Sequence, residues 1–357
     1  MIKAEYCKHT LKFKFDAGTS RGILKTHEAF IFKLWDDSQA EIVGLGEAAP
    51  LKGLSPEFGP DFENRIQKVV NELNRAVLDF DSLKTILFEK ESPYPASIQF
   101  ALETALLDLE NGGQRKIYEN DFSAGTDSIP INGLIWMGNE TFMAEQIEKK
   151  LRAGFKTIKM KIGAIDFDTE FKLLKSIRAR FPASELTLRV DANGAFDFQK
   201  AQEVLTQLAE LEIHSIEQPI RTKQYDEMAQ LCAHTPVPIA LDEELIGLKK
   251  EERESVLQQI KPQFLIFKPT LLGGLRATAE WIALAENMQI GWWITSALES
   301  NIGLNAIAQF TYAQRNPMPQ GLGTGQLYHN NFDSPLTIDN GHIHYIQSKK
   351  WNLDLLT

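Results

Sequence analysis

Leu188-Arg189-Val190-Asp191-Ala192-Asn193-Gly194 is an apolar run that stops at an acid, an amide and a glycine. A buried parallel strand meets a polar loop at its carboxyl end in this way. Ile213-His214-Ser215-Ile216-Glu217-Gln218-Pro219 repeats the pattern and ends in a glutamate. Val237-Pro238-Ile239-Ala240-Leu241-Asp242-Glu243 repeats it again and ends in an acid pair. Asp191, Glu217 and Asp242 are spaced by 26 and 25 residues. That is the length of one strand, one helix and two loops, so three successive barrel strands would each present one carboxylate at the same rim. Converging carboxylates repel unless a cation lies between them. The three acids therefore read as the ligands of a hard metal.

Outward from this centre, strand and helix patterns alternate from about residue 126 onward. Strands are expected at 129–135, 157–162, 186–190, 213–217, 237–242, 263–268 and 290–295, with a weak one at 320–323. Amphipathic helices separate them: Phe167, Phe171, Leu174 and Ile177 make one stripe, Val204, Leu205, Leu208 and Leu211 another. Gly154 stands where a helix C-terminal cap belongs. Eight strands with about seven helices fit a closed β/α barrel better than an open sheet. The first 55 residues read differently, as an antiparallel meander. Its strands lie at 11–15, 30–35 and 42–48, with loops at 16–22 and 49–55. Helical periodicity follows, with Phe62, Ile66, Val69 and Val70 on one face and Leu102, Ala105, Leu106 and Leu109 on another, until Asn111-Gly112-Gly113 stops it. The tail at 336–357 returns to alternation and is expected to pack back on the first unit. The domains expected are 1–125, 126–325 for the barrel, and 326–357.

Composition narrows the partners. The chain has 357 residues, 43% hydrophobic and 24% charged, as a globular enzyme does. A net charge of −10 with no Lys/Arg cluster argues against nucleic acid. Cys7 and Cys232 supply neither a disulfide framework nor zinc ligands. Met1-Ile2-Lys3-Ala4-Glu5 lacks a secretory apolar core, and no apolar run is long enough to span a bilayer, so a cytoplasmic location is expected.

Two lysine features flank the acids. In Ile158-Lys159-Met160-Lys161-Ile162 the side chains alternate, so both lysines point into the barrel and Met160 points out. Lys268 ends the sixth strand, 26 residues after Asp242, and continues the series. Strands two and six lie nearly opposite, so Lys161 and Lys268 are expected to face each other across the mouth, beside the metal. A carbon acid next to a carboxylate is weak, because losing its proton places a second negative charge on the group. A divalent cation can take up that charge, and an amine whose pKa a cation lowers can act as base near neutral pH. Lys161, closer to the rim, reads as the base and Lys159 as its support.

Lys159-x-Lys161, Asp191-x-Asn193, Glu217, Asp242 and Lys268 together resemble the enolase superfamily, muconate-lactonising subgroup. This superfamily is a worked case of a lysine or histidine base used with magnesium. The resemblance spans nearly the whole chain. It implies an α/β fold, a modified (β/α)7β barrel with an α+β capping domain built from both chain ends. It also implies one Mg2+ on Asp191, Glu217 and Asp242, acid/base lysines at 161 and 268, and Asn193 in support. The loops near Gly18–Arg21 and Pro50–Ser55 would close over a small-molecule carboxylate.

The subgroup's reactions share these residues, so the last strands must choose among them. Ser296-Ala297-Leu298-Glu299-Ser300 is similar to the serine-rich segment of the subgroup's dehydratases, with alanine in place of one usual serine. Ser296, Glu299 and Ser300 are accordingly expected to bind substrate. Dipeptide epimerases carry an Asp-x-Asp near the eighth strand, whereas this chain has Gly321-Leu322-Gly323-Thr324-Gly325. The resemblance implies dehydration of 2-succinyl-6-hydroxy-2,4-cyclohexadiene-1-carboxylate in menaquinone synthesis. N-acylamino acid racemase or dipeptide epimerase activity is the alternative. A Schiff-base aldolase would explain Lys268 but not three spaced acids. A non-catalytic barrel would explain neither.

Overall fold

The computed structural model describes residues 1–19 and 22–356, so Ser20 and Arg21, in the expected loop at 16–22, lie outside it, as does Thr357. The N-terminal meander is longer than its sequence pattern suggests. Strand β1 (Ile2–Thr19) pairs antiparallel with β2 (Gly22–Asp36), whose other edge pairs with β3 (Gly44–Ala48). Most of the expected loop is thus strand, because the hairpin carries its pairing out to Thr19 opposite Gly22. Asp36 turns the chain after β2 by accepting a 2.8 Å hydrogen bond from Ser38 N.

Helices α1 (Phe62–Arg75), α2 (Phe80–Phe88) and α3 (Ala96–Glu110) cover this sheet. The Phe62, Ile66, Val69 and Val70 stripe packs on Phe30, Phe32 and Leu34 of β2. Helix α3 lies close on β3, and a Cβ at Gly46 would collide with the carbonyl oxygen of Ala101. Glycine is what allows that approach.

The rest of the chain alternates. Strand β4 (Ser128–Pro130) is followed by β5 (Gly133–Ile135), α4 (Glu140–Arg152), β6 (Thr157–Lys161), α5 (Phe167–Arg180) and β7 (Thr187–Asp191). Then come α6 (Phe198–Ala209), β8 (Ser215–Glu217), α7 (Tyr225–His234), β9 (Ile239–Leu241), α8 (Lys250–Ile260) and β10 (Phe264–Phe267). Helices α9 (Pro269–Leu272) and α10 (Gly274–Asn287), strand β11 (Gly291–Ile294) and helix α11 (Asn301–Ala313) complete the series.

Strands β5 to β11 form one seven-stranded parallel sheet in sequential order. The sheet curls. Gln320 bridges to Ile131 beside β5 and Gly321 bridges to Thr295 beyond β11, so one short segment touches both edges. The strand expected at 320–323 consists of these two bridges, followed by a 3-10 turn at Gly323–Gln326. The strand expected at 129–135 is two strands. β4 leaves the parallel sheet to pair with the tail, in which β12 (Leu336–Asp339) and β13 (His342–Tyr345) form a hairpin.

Alternation sorts the sheet's side chains into two environments. Ile158, Met160, Leu188, Val190, Ile216, Leu241, Leu265 and Ile294 pack outward against the helices in the main core. On the inner side, Ala240, Ile266 and Trp293 form a small apolar floor with Phe264 and Met318. The tail divides its contacts: Ile343 and Tyr345 join the main core, whereas Leu356 packs with Leu11 and Phe13 of β1. No helix among the described residues is long and apolar enough to cross a membrane.

Candidate active site

The inner face of the sheet carries the chemistry. On β6, Lys159 and Lys161 point inward and both are buried. Register then places Lys161 beside Asp191, and Asp191 beside Glu217, on adjacent strands. Asp242 and Lys268 follow β9 and β10 directly at the same carboxyl ends. Beneath them Arg189, the next inward residue down β7, lies over the Trp293 ring at 4.0 Å and donates to Pro319 O at 2.8 Å.

Amines and acids interlock. Lys159 Nζ donates to Asp191 Oδ2 at 3.1 Å and to Glu217 Oε2 at 2.7 Å. Lys161 Nζ donates to Asp191 Oδ2 at 2.9 Å and to Asn193 Oδ1 at 2.6 Å. Lys268 Nζ is paired with Asp242 Oδ2. Burial opposes the charge on Lys159, but Asp191 and Glu217 outweigh it and hold its pKa above the ordinary lysine value. Burial likewise opposes charge on Lys268, and Asp242 overcomes it to raise that pKa. Asp191, despite burial, is held well below the usual carboxylate range by Lys159 and Lys161. Glu217 goes the other way, raised by burial and by the neighbouring Asp191 charge. Opposite shifts on neighbouring acids are what like charges in one dry site produce.

The three acids suit a hard cation in donor type, being all-oxygen and buried together. Glu217 Oε1 and Asp242 Oδ1 are buried with no hydrogen-bond partner, although buried acceptors normally find one. Among the described residues, no group of three or more His, Cys, Asp or Glu is already disposed as a metal cage. Lysine ammonium groups bridge the acids instead, and these acids would have to turn from their lysines toward an ion.

A cavity of about 240 Å³ opens above this cluster. Lys159, Lys161, Asp191, Asn193 and Lys268 line it together, so both expected acid/base lysines reach one space. Trp136, inward on the continuation of β5, lies 5.9 Å from Lys161 Nζ measured to its ring centre. Leu24, Leu51, Leu54 and Leu134 supply apolar wall, and Gly22–Leu24 with Leu51–Leu54 bring the N-terminal unit over the mouth. Leu51–Leu54 lies in the second loop expected to close over a substrate, and Gly22–Leu24, the start of β2, follows the first, whose Ser20 and Arg21 are not among the described residues.

The serine segment divides. Ser296 lines the cavity and its Oγ lies 2.6 Å from Thr324 Oγ1. Glu299 and Ser300, expected to bind substrate, do not line it. They face away, into the contact with the N-terminal unit. Glu299 is paired with Thr270 Oγ1 and accepts from Ala297 N at 2.8 Å. Ser300 N and Gly303 N each donate to Glu47 at 2.8 Å, so an acid from β3 caps α11 across the interface. Glu243 and Glu244, which adjoin Asp242, are buried as well. Asn193 Nδ2 donates to Glu243 Oε1 at 3.0 Å, and Gln218 Nε2 donates to Glu244 Oε2 at 3.1 Å. Sequence reasoning also passed over Trp136, Asn132, Thr295 and Thr324, which line the cavity. The period-two alternation of β5 would have found Trp136. The same alternation carried back from β5 reaches Asn132, and that of β11, where Trp293 faces inward, reaches Thr295, whereas Thr324 sits in a 3-10 turn with no period-two signal.

Comparison with known proteins gives the chain its relatives. The model of the enolase C-terminal domain-like family matches residues 142–348. The chain is 45% identical to an o-succinylbenzoate synthase of Desulfotalea psychrophila over 95% of this chain and 98% of that one. The crystal structure of MenC from the same organism superposes with a TM-score of 0.84 at 42% identity, covering 96% of this chain and 99% of that one. An L-Ala-D/L-Glu epimerase of Bacillus subtilis is more distant, 25% identical over 82% of this chain and 79% of that one. A muconate lactonizing enzyme from Pseudomonas fluorescens shares the fold, with a TM-score of 0.84 at 22% identity and coverage of 99% and 97%.

Proposed function

The chain belongs to the enolase C-terminal domain-like family, and from that membership we propose that it acts as an o-succinylbenzoate synthase. The substrate would be 2-succinyl-6-hydroxy-2,4-cyclohexadiene-1-carboxylate, the product 2-succinylbenzoate, and the setting menaquinone synthesis in the cytoplasm. The carrying observation is the 45% identity to an o-succinylbenzoate synthase over nearly the full length of both chains. The epimerases among the relatives stand much further away. The fold we propose is the modified (β/α)7β barrel over residues 126–325, with a capping unit at 1–125 and a closing segment at 326–357; the double bridging by Gln320 and Gly321 supports it.

Lys161 is the base in this reading. Its Nζ takes the proton on the ring carbon beside the carboxylate, and the resulting ammonium then protonates the departing hydroxyl. As the free amine Lys161 has two N–H groups and one lone pair: Asn193 Oδ1 takes one N–H, and the lone pair meets the substrate proton. Lys268 works as a fixed cation, because the carboxylates around it, Asp242 first and then Glu243 and Glu217, favour the charged form. It stabilises the negative charge that develops on the carboxylate. Trp136 and the leucine wall exclude water, which strengthens each of these contacts. Bound by Asp191, Glu217 and Asp242, Mg2+ would supply positive charge for the substrate carboxylate.

Purified protein with Mg2+ and the cyclohexadiene should give the ultraviolet change of a ring becoming aromatic. EDTA should abolish the change and added Mg2+ restore it. Turnover that ignores EDTA would defeat the reading. So would an inert diene together with solvent deuterium entering an N-acylamino acid, which is the racemase outcome.

A further inference from the structure

We infer that Glu243 is a positioning residue for Lys161, acting through Asn193; this rests on the proposed role of Lys161 as base. A carboxamide has nearly the same shape in its two flipped orientations, so its neighbours decide which atom faces where. A lysine ammonium only donates, and a carboxylate only accepts. Asn193 stands between one of each. It presents Oδ1 to Lys161 Nζ at 2.6 Å and Nδ2 to Glu243 Oε1 at 3.0 Å. The flipped amide would set N–H groups against the ammonium and its oxygen against the carboxylate. Glu243 therefore selects the orientation in which Lys161 has an acceptor.

Both ends of this chain of contacts are pinned. Asn193 has φ +46°, a left-handed conformation that asparagine tolerates well, and its N–H donates to Asp191 Oδ1 at 3.0 Å. The freedom left to it is rotation of the carboxamide. Glu243 opens a 3-10 turn, Glu243–Leu245, whose start is gripped by Gln218. Gln218 Oε1 accepts from Asp242 N and Glu244 N, each at 3.2 Å. Glu244 Oε1 accepts from Lys223 N at 2.6 Å and fixes the turn from its other side. Glu243 also attracts the Lys268 ammonium. A pure charge effect on Lys268 is the rival explanation that the test must separate.

The test is a double-mutant cycle on the Mg2+-loaded enzyme. Glu243→Leu should lower kcat about 10- to 100-fold while KM moves less than about threefold. Glu243→Gln still offers Asn193 an oxygen and should stay within about fivefold of wild type. In an Asn193→Leu background, Glu243→Leu should cost nothing further. The paired swap Asn193→Asp with Glu243→Gln restores one donor facing one acceptor in the reversed sense. It should recover activity that Asn193→Asp alone loses, which keeps the inference testable if Glu243→Leu does not fold. Equal losses from Glu243→Leu in both backgrounds, or a Glu243→Gln enzyme as poor as Glu243→Leu, would overturn it. Amidination of Lys161, followed by peptide mass spectrometry without substrate, gives a readout independent of turnover. Labelling should quicken in Asn193→Leu and in Glu243→Leu, and no more in the double variant. Additive labelling would overturn the inference even in an active enzyme, and non-additive labelling would sustain it even if the diene were inert.

Discussion

At the scale of single residues, the cluster is a balance of three ammonium groups against three carboxylates, taken out of water together. Removing one partner leaves its mate buried and uncompensated, which is costly. Lys161→Ala combines that loss with loss of the proposed base. Its kcat for the diene should fall by about two to four powers of ten with the fold intact. Stopped-flow absorbance with a circular dichroism control checks this, and near-normal turnover would exclude Lys161 as the base. The acids and lysines were legible because each ends an apolar strand at a fixed interval, so their shared rim follows from spacing. Their pairings were not legible. Nothing in Asp191-Ala192-Asn193 says that the asparagine turns its oxygen to Lys161, since that depends on Glu243, 50 residues on.

At the scale of elements, the segment Ser296–Ser300 is shaped from both sides. Ser296 meets Thr324 at the cavity, while Glu299 and Ser300 knit the far side to Thr270 and Glu47. Sequence resemblance could mark the segment as important, but not which of its residues face the cavity. An irregular loop has no period to read. Burial pushes the Glu299 carboxyl up to about 7. The folded chain thus holds this proton more tightly than the unfolded chain, whose carboxyl titrates at its ordinary value. The stability that Glu299 contributes is full below that ordinary value and is lost as pH rises through about 7. Glu299→Gln cannot titrate. Between pH 5 and pH 8 the stability difference should therefore shift in the variant's favour by about 2–3 kcal/mol. Urea midpoints at the two pH values measure it, and a difference that ignores pH would contradict it.

At the scale of the whole molecule, the strands of the parallel sheet and most helices were legible because buried parallel strands and amphipathic helices leave strong periods. The extended hairpin of β1 and β2 was not, since its outer half is held by pairing rather than by an apolar stripe. Nor was the closing segment, whose strand-like role is two bridges long. One consequence concerns ions. If Asp191, Glu217 and Asp242 exchange their lysines for Mg2+, the folded state gains a ligand that the unfolded chain lacks. Unfolding free energy should then rise by about 2.7 kcal/mol at a hundredfold excess over Kd. Thermal melts with and without Mg2+ read this, and Asp242→Asn should blunt the increase. A wild-type melting temperature indifferent to Mg2+ would count against the site.

The bridges made by Gln320 and Gly321 have a bearing on how the protein comes into being. A ribosome delivers the lysines and acids before the piece that joins the two sheet edges, and Phe13 of β1 must wait for Tyr328 as its bridging neighbour. Until then the curled sheet has raw edges and an unroofed polar interior. Closure of the pocket thus depends on Gln320 and Gly321, and a chain that stops short of them should carry the lysines and acids yet turn over no substrate.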